Sequence, residues 1–343
     1  MRVALDVRSV RAGRAGIGHY TRELAAALAS LDARPDLTLL GDAGTAWRDL
    51  PDIHREIGPG GMGWHLWAAR RSRAFAVFHS PGSLFVPLLA GARTVLTVHD
   101  LVPFRLPAAA DPWSTLTHRA FRAAVRRAGA IITPSRHAAA DLAALIPAAA
   151  ARTTPIPLAS RFAREPRPSE GFILAVGSFE PRKNLECLLA AHARLDRPPR
   201  LILAGRQGWR SGSLDAALAA HPHPVEILAD ADDARLAELY ASCGVFVFPS
   251  RYEGFGLPVI EAMACGAPVV ASGATAVPEA AGGAALLVDP DDPAGLAAAI
   301  GSVLQDPALR ADLVSRGRER AMRRTWADVA HETYSVYVRM GHP

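Results

Sequence analysis

The 343-residue chain contains a single lysine, Lys183, among its 38 basic residues. It also has only three cysteines, Cys187, Cys243 and Cys265. They are odd in number, lack metal-ligand spacing and sit in apolar surroundings. A disulfide framework and a zinc site are therefore not expected, and buried thiols in a reducing cytoplasm are. No uncharged apolar run approaches the length of a membrane-spanning helix. The opening RVALDV is interrupted by Asp6, which makes it too short for a secretory signal and suited to a first strand. Aromatic residues make up 6% of the chain. None are interleaved along a basic helix and no nucleic-acid-binding module is recognisable, so nucleic acid is not expected as a partner.

Half of the residues are hydrophobic and 21% are charged, enough for a large core. The length suits two domains. Charge is divided unevenly: residues 1–165 hold 21 arginines against 12 acids, a formal +9, and the remainder is −4. A basic first half suits an anionic partner or a peripheral contact at the inner face of a membrane. The rival reading is of arginines that cap helices and cover solvated faces.

Short apolar runs alternate with helical patterns. RVALDV leads through a glycine loop, Gly13 to Gly18, into a helix. LTLLGD, AVFHSP, TVLTVHD and AIITPS follow as buried strands. The rhythm pauses at residues 157–171, rich in Pro, Arg and Glu, and restarts with FILAVGS, RLILAG, VEILAD, VFVFPS, PVVAS and AALLVD. This is the pattern of parallel α/β sheets covered on both faces. It predicts two Rossmann-like doubly wound domains, residues 1–162 and 163–325, facing across a cleft. A C-terminal helix over 326–343 is expected to return to the first domain. Ligands of such sheets sit at the carboxyl ends of the strands.

One stretch, FPSRYEGFGLPVIEAMACGAPVV (residues 248–270), concentrates chemistry. A strand ends at Pro249. Gly254 and Gly256 permit positive φ or close backbone approach. Leu257 and Pro258 begin a helix that Gly266 and Pro268 end. A helix N-terminus behind a glycine turn is an anion site. Glu253 in the loop and Glu261 one turn into the helix can both look into the strand-end pocket. One carboxylate suits the hydroxyls of a sugar and the other a ribose diol, with phosphates between.

These residues resemble the retaining glycosyltransferases of family 4, which have the GT-B fold. The E-x7-E pattern is joined by VGSFEPRKNL (176–185), LILAG (201–205), LYASCGVFVFPS (239–250) and AVPEAAGGAALLVDPDD (276–292). In the first half GIGHYTREL (16–24), VHDLVP (98–103) and ITPSRHAAADL (132–142) follow the family's order. The first-half blocks look most like bacterial mannosyltransferases that build surface polysaccharides.

The resemblance implies roles. Glu261 binds the nucleotide ribose and Glu253 lies by the donor sugar. The backbone of Gly254, Phe255 and Gly256 approaches sugar and phosphate, with Gly177 and Leu257 in the same donor site. Arg182 and Lys183 match the diphosphate-binding cations. Ser178 stands where many members carry arginine. His99 matches a histidine near the transferred sugar, and Gly16 and Gly18 match a loop that closes over donor and acceptor. The implied catalytic set is His99, Arg182, Lys183 and Glu253, with no metal and no cofactor. The implied partners are a nucleotide diphosphate sugar, best matched by GDP-mannose, and a glycan or lipid-linked acceptor. Transfer with retention follows from the resemblance, by attack on the face the diphosphate leaves.

Blander readings stand beside these. Glu261 could serve the helix dipole, His99 could be a core histidine, and Arg182 with Lys183 could be a solvated turn. Asp230-Ala231-Asp232 looks like a metal-binding DxD but directly precedes a helix, where aspartates cap. Three function classes stay open. One is a retaining transferase, acting on a glycan, a lipid-linked or a soluble small-molecule acceptor. Another is a GT-B relative such as a sugar-nucleotide epimerase or a phosphorylase, and a pyridoxal-phosphate phosphorylase would need the sole lysine as its Schiff base. The last is a non-catalytic sugar-nucleotide binder.

Overall fold

Thirteen short strands, the central ones of each sheet buried and the edge strands partly exposed, organise the described part of the chain. In the computed structural model these are residues 1–11, 16–82, 84–106, 112–208 and 212–341. Gly13, part of the expected glycine loop, lies outside them. The chain divides into two units, Met1–Leu158 with Thr325–Pro343, and Ala159–Arg324.

The first unit holds β1 (Arg2–Asp6), β2 (Asp36–Gly41), β3 (Arg55–Ile57), β4 (Val77–Ser80), β5 (Thr94–Thr97), β6 (Ala130–Thr133) and β7 (Thr153–Pro155), in the spatial order β3-β2-β1-β4-β5-β6-β7. The edge strands β3 and β7 are only three residues long and were not distinct in the sequence pattern. The second unit holds β8 (Ile173–Val176), β9 (Leu201–Ala204), β10 (Val225–Leu228), β11 (Val245–Phe248), β12 (Val269–Ser272) and β13 (Leu286–Val288), in the order β10-β9-β8-β11-β12-β13. Every pairing is parallel. Strand order therefore reverses between β1 and β4 and between β8 and β11. At such a switch point the loops leave in opposite directions and open a crevice at the strand ends.

The helix Trp326–Gly341 belongs to the first unit. Tyr337 is fully buried there, its hydroxyl 2.6 Å from His79 Nδ1. His79 Nε2 lies 2.7 Å from Thr97 Oγ1, which in turn faces the Tyr20 hydroxyl at 3.3 Å. This polar chain runs through an otherwise apolar core, so each member must find a partner. Burial pushes the His79 imidazole down to about 3.

Residues 159–171 are not a free linker. The amides of Arg167 and Glu170 donate to Ala241 and Ser242 carbonyls at 3.0 and 2.8 Å. Arg318 holds Glu165 through two bonds of 2.7 Å. These contacts join the segment to the second unit, so the division falls after Leu158 rather than after residue 162. Composition suggested a linker because Pro, Arg and Glu are common in exposed connections. Here the same residues bond to fixed partners.

Candidate active site

Two loops leave the strand ends on either side of the second unit's switch point. The first follows β8. Gly177 has φ +146°, a backbone conformation that side chains rarely adopt, and a Cβ there would crowd the lysine stem at 3.2 Å from Lys183 Cε. The turn Pro181–Lys183 ends at Asn184, which takes the left-handed conformation with φ 57°. Asparagine tolerates that conformation better than most residues. The Asn184 side-chain amide donates to the carbonyls of Pro249 at 3.1 Å and Pro290 at 2.6 Å. The second loop follows β11, and its Arg251 amide donates to the Arg182 carbonyl at 2.8 Å. The two loops are thus stitched together through backbone and Asn184.

Their charged side chains meet at Glu253. Lys183 Nζ lies 2.6 Å from Glu253 Oε1, and Arg182 approaches the same oxygen at 2.9 Å. Lys183 and Glu253 are each 8% exposed, so Lys183 is no solvated turn. Burial raises the Glu253 carboxyl, but Lys183 and Arg182 outweigh it and hold the group below the ordinary carboxylate range. Burial and the neighbouring guanidinium lower the Lys183 ammonium, which Glu253 only partly restores. Two cations share one carboxylate oxygen. Glu180 supplies a second carboxylate to Arg182 at 2.7 Å, so the cluster sets two cations against two anions, and an incoming phosphate would take over guanidinium and ammonium hydrogen bonds that these carboxylates now hold. Glu180 orients the guanidinium, accepting from Arg182 Nε at 2.7 Å and from Ser178 Oγ at 2.7 Å.

Gly256, with φ 107°, opens the helix Leu257–Ala264, which has no side-chain cap. The Glu253 amide donates to Thr275 Oγ1 at 3.1 Å. Thr275 itself has φ 54°, a strained conformation for a β-branched residue. The sequence carries no signal for this support, because it depends on where the loop after β12 lands.

Glu261 does not join this cluster. Its Oε1 accepts from Arg161 Nε at 2.7 Å, and its Oε2 is 3.5 Å from the Tyr240 hydroxyl. Arg161 also pairs with Asp233, and its guanidinium stacks 4.2 Å from the Phe162 ring centre. Glu261 is 5% exposed, and burial raises its carboxyl above the ordinary value despite Arg161. One turn of helix carries Glu261 to the helix Asp233–Ser242 and the 159–162 segment, so the two carboxylates occupy separate ion clusters. Asp232 caps that helix, accepting from the Arg235 amide at 2.8 Å, and Asp230 pairs with Arg206 at 2.7 Å.

In the first unit His99 follows β5. Its Nε2 donates to the Pro81 carbonyl at 2.8 Å, which leaves Nδ1 as the acceptor nitrogen. Burial lowers its basicity, and the Tyr20 ring meets it edge-on at 4.7 Å. Gly16 has φ 66° and precedes the helix Ile17–Ala29. A Cβ on Gly18 would lie 2.8 Å from the Ser9 carbonyl oxygen.

Two sequence families match in succession. The family described as Glycosyltransferase Family 4 matches residues 14–159. Glycosyl transferases group 1 matches residues 159–320. O-antigen chain mannosyltransferase B of Escherichia coli is 33% identical over 174 residues, 49% of this chain and 46% of that protein. The chain thus spans less than half the length of this curated relative. Among solved structures, sucrose-phosphate synthase from Thermosynechococcus elongatus superposes with a TM-score of 0.78 at 23% identity, covering 99% of this chain and 98% of that one. HepE of Anabaena in complex with UDP-glucose gives 0.77 at 20% identity, covering 99% and 100%. These structural likenesses establish the fold.

Proposed function

The chain belongs to glycosyltransferase family 4, with the GT-B fold, and on that premise we propose that it transfers a hexose, mannose from GDP-mannose, with retention of configuration. The acceptor is a hydroxyl of a glycan or lipid-linked glycan, and the product serves surface polysaccharide synthesis at the cytoplasmic face of the membrane. The mannosyltransferase named above supports the sugar. The three unpaired, buried cysteines suit a reducing compartment. The membrane contact in this reading is peripheral; among the described residues no helix is long and apolar enough to cross a membrane.

The observation that carries this reading is the pair Arg182 and Lys183 gathered on one Glu253 oxygen. As the glycosidic bond breaks, negative charge grows on the departing diphosphate. Lys183, Arg182 and the start of the helix Leu257–Ala264 are pre-set to receive it. Glu253 is held ionised, so it accepts hydrogen bonds from donor hydroxyls and does not supply a proton. The acceptor hydroxyl attacks the anomeric carbon on the face that the diphosphate leaves, and its proton passes to the leaving phosphate oxygen. Glu261 takes the ribose hydroxyls and His99 lies by the transferred sugar. Transfer needs no divalent ion in this reading, because two cations do that work and Asp230 and Asp232 are engaged elsewhere.

A thermal-shift screen across nucleotide sugars tests the donor. A ligand that binds only the folded state raises its stability, by about 2.7 kcal/mol at a hundredfold excess over Kd. GDP-mannose and GDP are expected to give the largest shifts. A larger shift with UDP sugars rejects the guanosine donor. Transfer to a water-soluble small molecule but not to a lipid-linked glycan would replace the acceptor.

A further inference from the structure

Between Glu56 and Asp141 the sequence holds ten arginines and only two acids, Asp100 and Asp111. In the first unit this stretch supplies the helices Gly63–Arg71, Phe85–Ala90 and Pro112–Arg127, which pack in succession. Inward, Trp64, Ala68 and Val86 join Phe75 and Phe78 in the core. The outward side of a surface helix is ordinarily polar. Here Met62 is 71% and Leu66 63% exposed, one helical turn apart. Phe85 and Leu89, also one turn apart, are exposed on the next helix. The His65 and Phe85 rings lie 4.9 Å apart and join the two pairs into one patch.

Charge marks the same face. Arg70 continues the Met62–Leu66 row by one more turn, and Arg73 follows it. Both are exposed and make no ion pair among the described residues. Arg71 differs, since its Nε holds Glu56 at 2.6 Å. Exposed apolar side chains beside unpaired guanidiniums match a bilayer interface. The apolar groups enter the acyl boundary while arginines reach the lipid phosphates. A second copy of the chain fits less well, because the face formed by these residues offers no carboxylate to pair with Arg70 and Arg73 of its copy.

We propose that the face formed by Met62, Leu66, Phe85 and Leu89 with Arg70 and Arg73 docks the protein on an anionic lipid bilayer. For its purpose this rests on the lipid-linked acceptor reading above, but docking is measured without donor or acceptor. Loss of one result therefore leaves the other readable.

The test is flotation of the full chain with phosphatidylcholine vesicles, with and without phosphatidylglycerol. Binding is expected to the anionic vesicles alone and to weaken with salt. Leu66→Glu, and separately Arg70→Gln with Arg73→Gln, are each expected to lower partitioning by about tenfold or more. These side chains are exposed, so the thermal transition should hold. If Leu66→Glu lowers it, Met62→Ser gives the same reading. No flotation at low salt overturns the proposal, as does flotation undiminished by the substitutions. A dimer in light scattering that Leu66→Glu dissolves reassigns the face to self-association.

Discussion

Arg161 and Glu261 stand one hundred residues apart in sequence and 2.7 Å apart in space. The contact fastens the first residues of the second unit to the helix that carries Glu261. It also explains how a carboxylate almost without solvent remains ionisable. Arg161→Met is expected to destabilise the second unit by roughly 3–5 kcal/mol, because it strands a buried carboxylate. Adding Glu261→Gln should recover part of that loss. Denaturant unfolding of both variants measures it, and strict additivity of the two changes would show that the pair is not coupled.

Nucleotide affinity should depend on Glu261 and on pH together. Glu261→Gln is expected to weaken GDP binding by about 1.5–3 kcal/mol, the usual worth of a charged hydrogen bond. Burial has raised this carboxyl above its ordinary 4.5. Acidification from neutral pH therefore protonates it earlier than a free glutamate and weakens binding in the native chain. In Glu261→Gln that acid limb should vanish. Calorimetry at stepped pH checks both, and an unchanged affinity removes the ribose role.

How much of this was legible varies with the kind of interaction. β11 reads directly from VFVF, since a short run of β-branched and aromatic residues between Gly244 and Pro249 suits a strand buried on both faces. The turn at Gly256 and the helix after it follow from glycine and proline chemistry. Arg182, Lys183 and Glu253 also stand out, because their motifs flank two strand ends. The partner of Glu261 does not. Arg161 sits in a Pro- and Arg-rich segment that looks solvated, and nothing local marks it as buried. Asn184 and Thr275 are equally silent. Their left-handed backbones are set by tertiary contacts, and neither is a glycine that would announce them.

His79 makes a separate prediction about acid stability. Its folded value of about 3 lies below the ordinary 6.5. The unfolded chain thus binds a proton that the folded chain refuses. Stability from this group is complete above pH 6.5 and is lost as pH falls toward 3, by about 1.4 kcal/mol per pH unit. His79→Gln should flatten that slope in the transition of the first unit. Urea unfolding at neutral and mildly acid pH tests it, and an unchanged slope assigns the acid sensitivity to another group.

Asp232 should matter to helix stability and little to chemistry. Asp232→Ala removes a cap, at about 1 kcal/mol. Transfer is expected to continue in that variant and in EDTA. Activity abolished by EDTA and restored by magnesium or manganese would establish a metal requirement.

Transfer from GDP-mannose by the native chain and by Lys183→Gln, with the anomeric configuration of the product read by NMR, is the most direct measurement. The native chain is expected to give an α-linked product with the donor's configuration. Lys183→Gln should lower kcat about 10²–10³-fold, because the leaving diphosphate loses a buried cation. An inverted product, or a Lys183→Gln enzyme with native kcat, would contradict stabilisation of the leaving diphosphate by the Arg182–Lys183 pair.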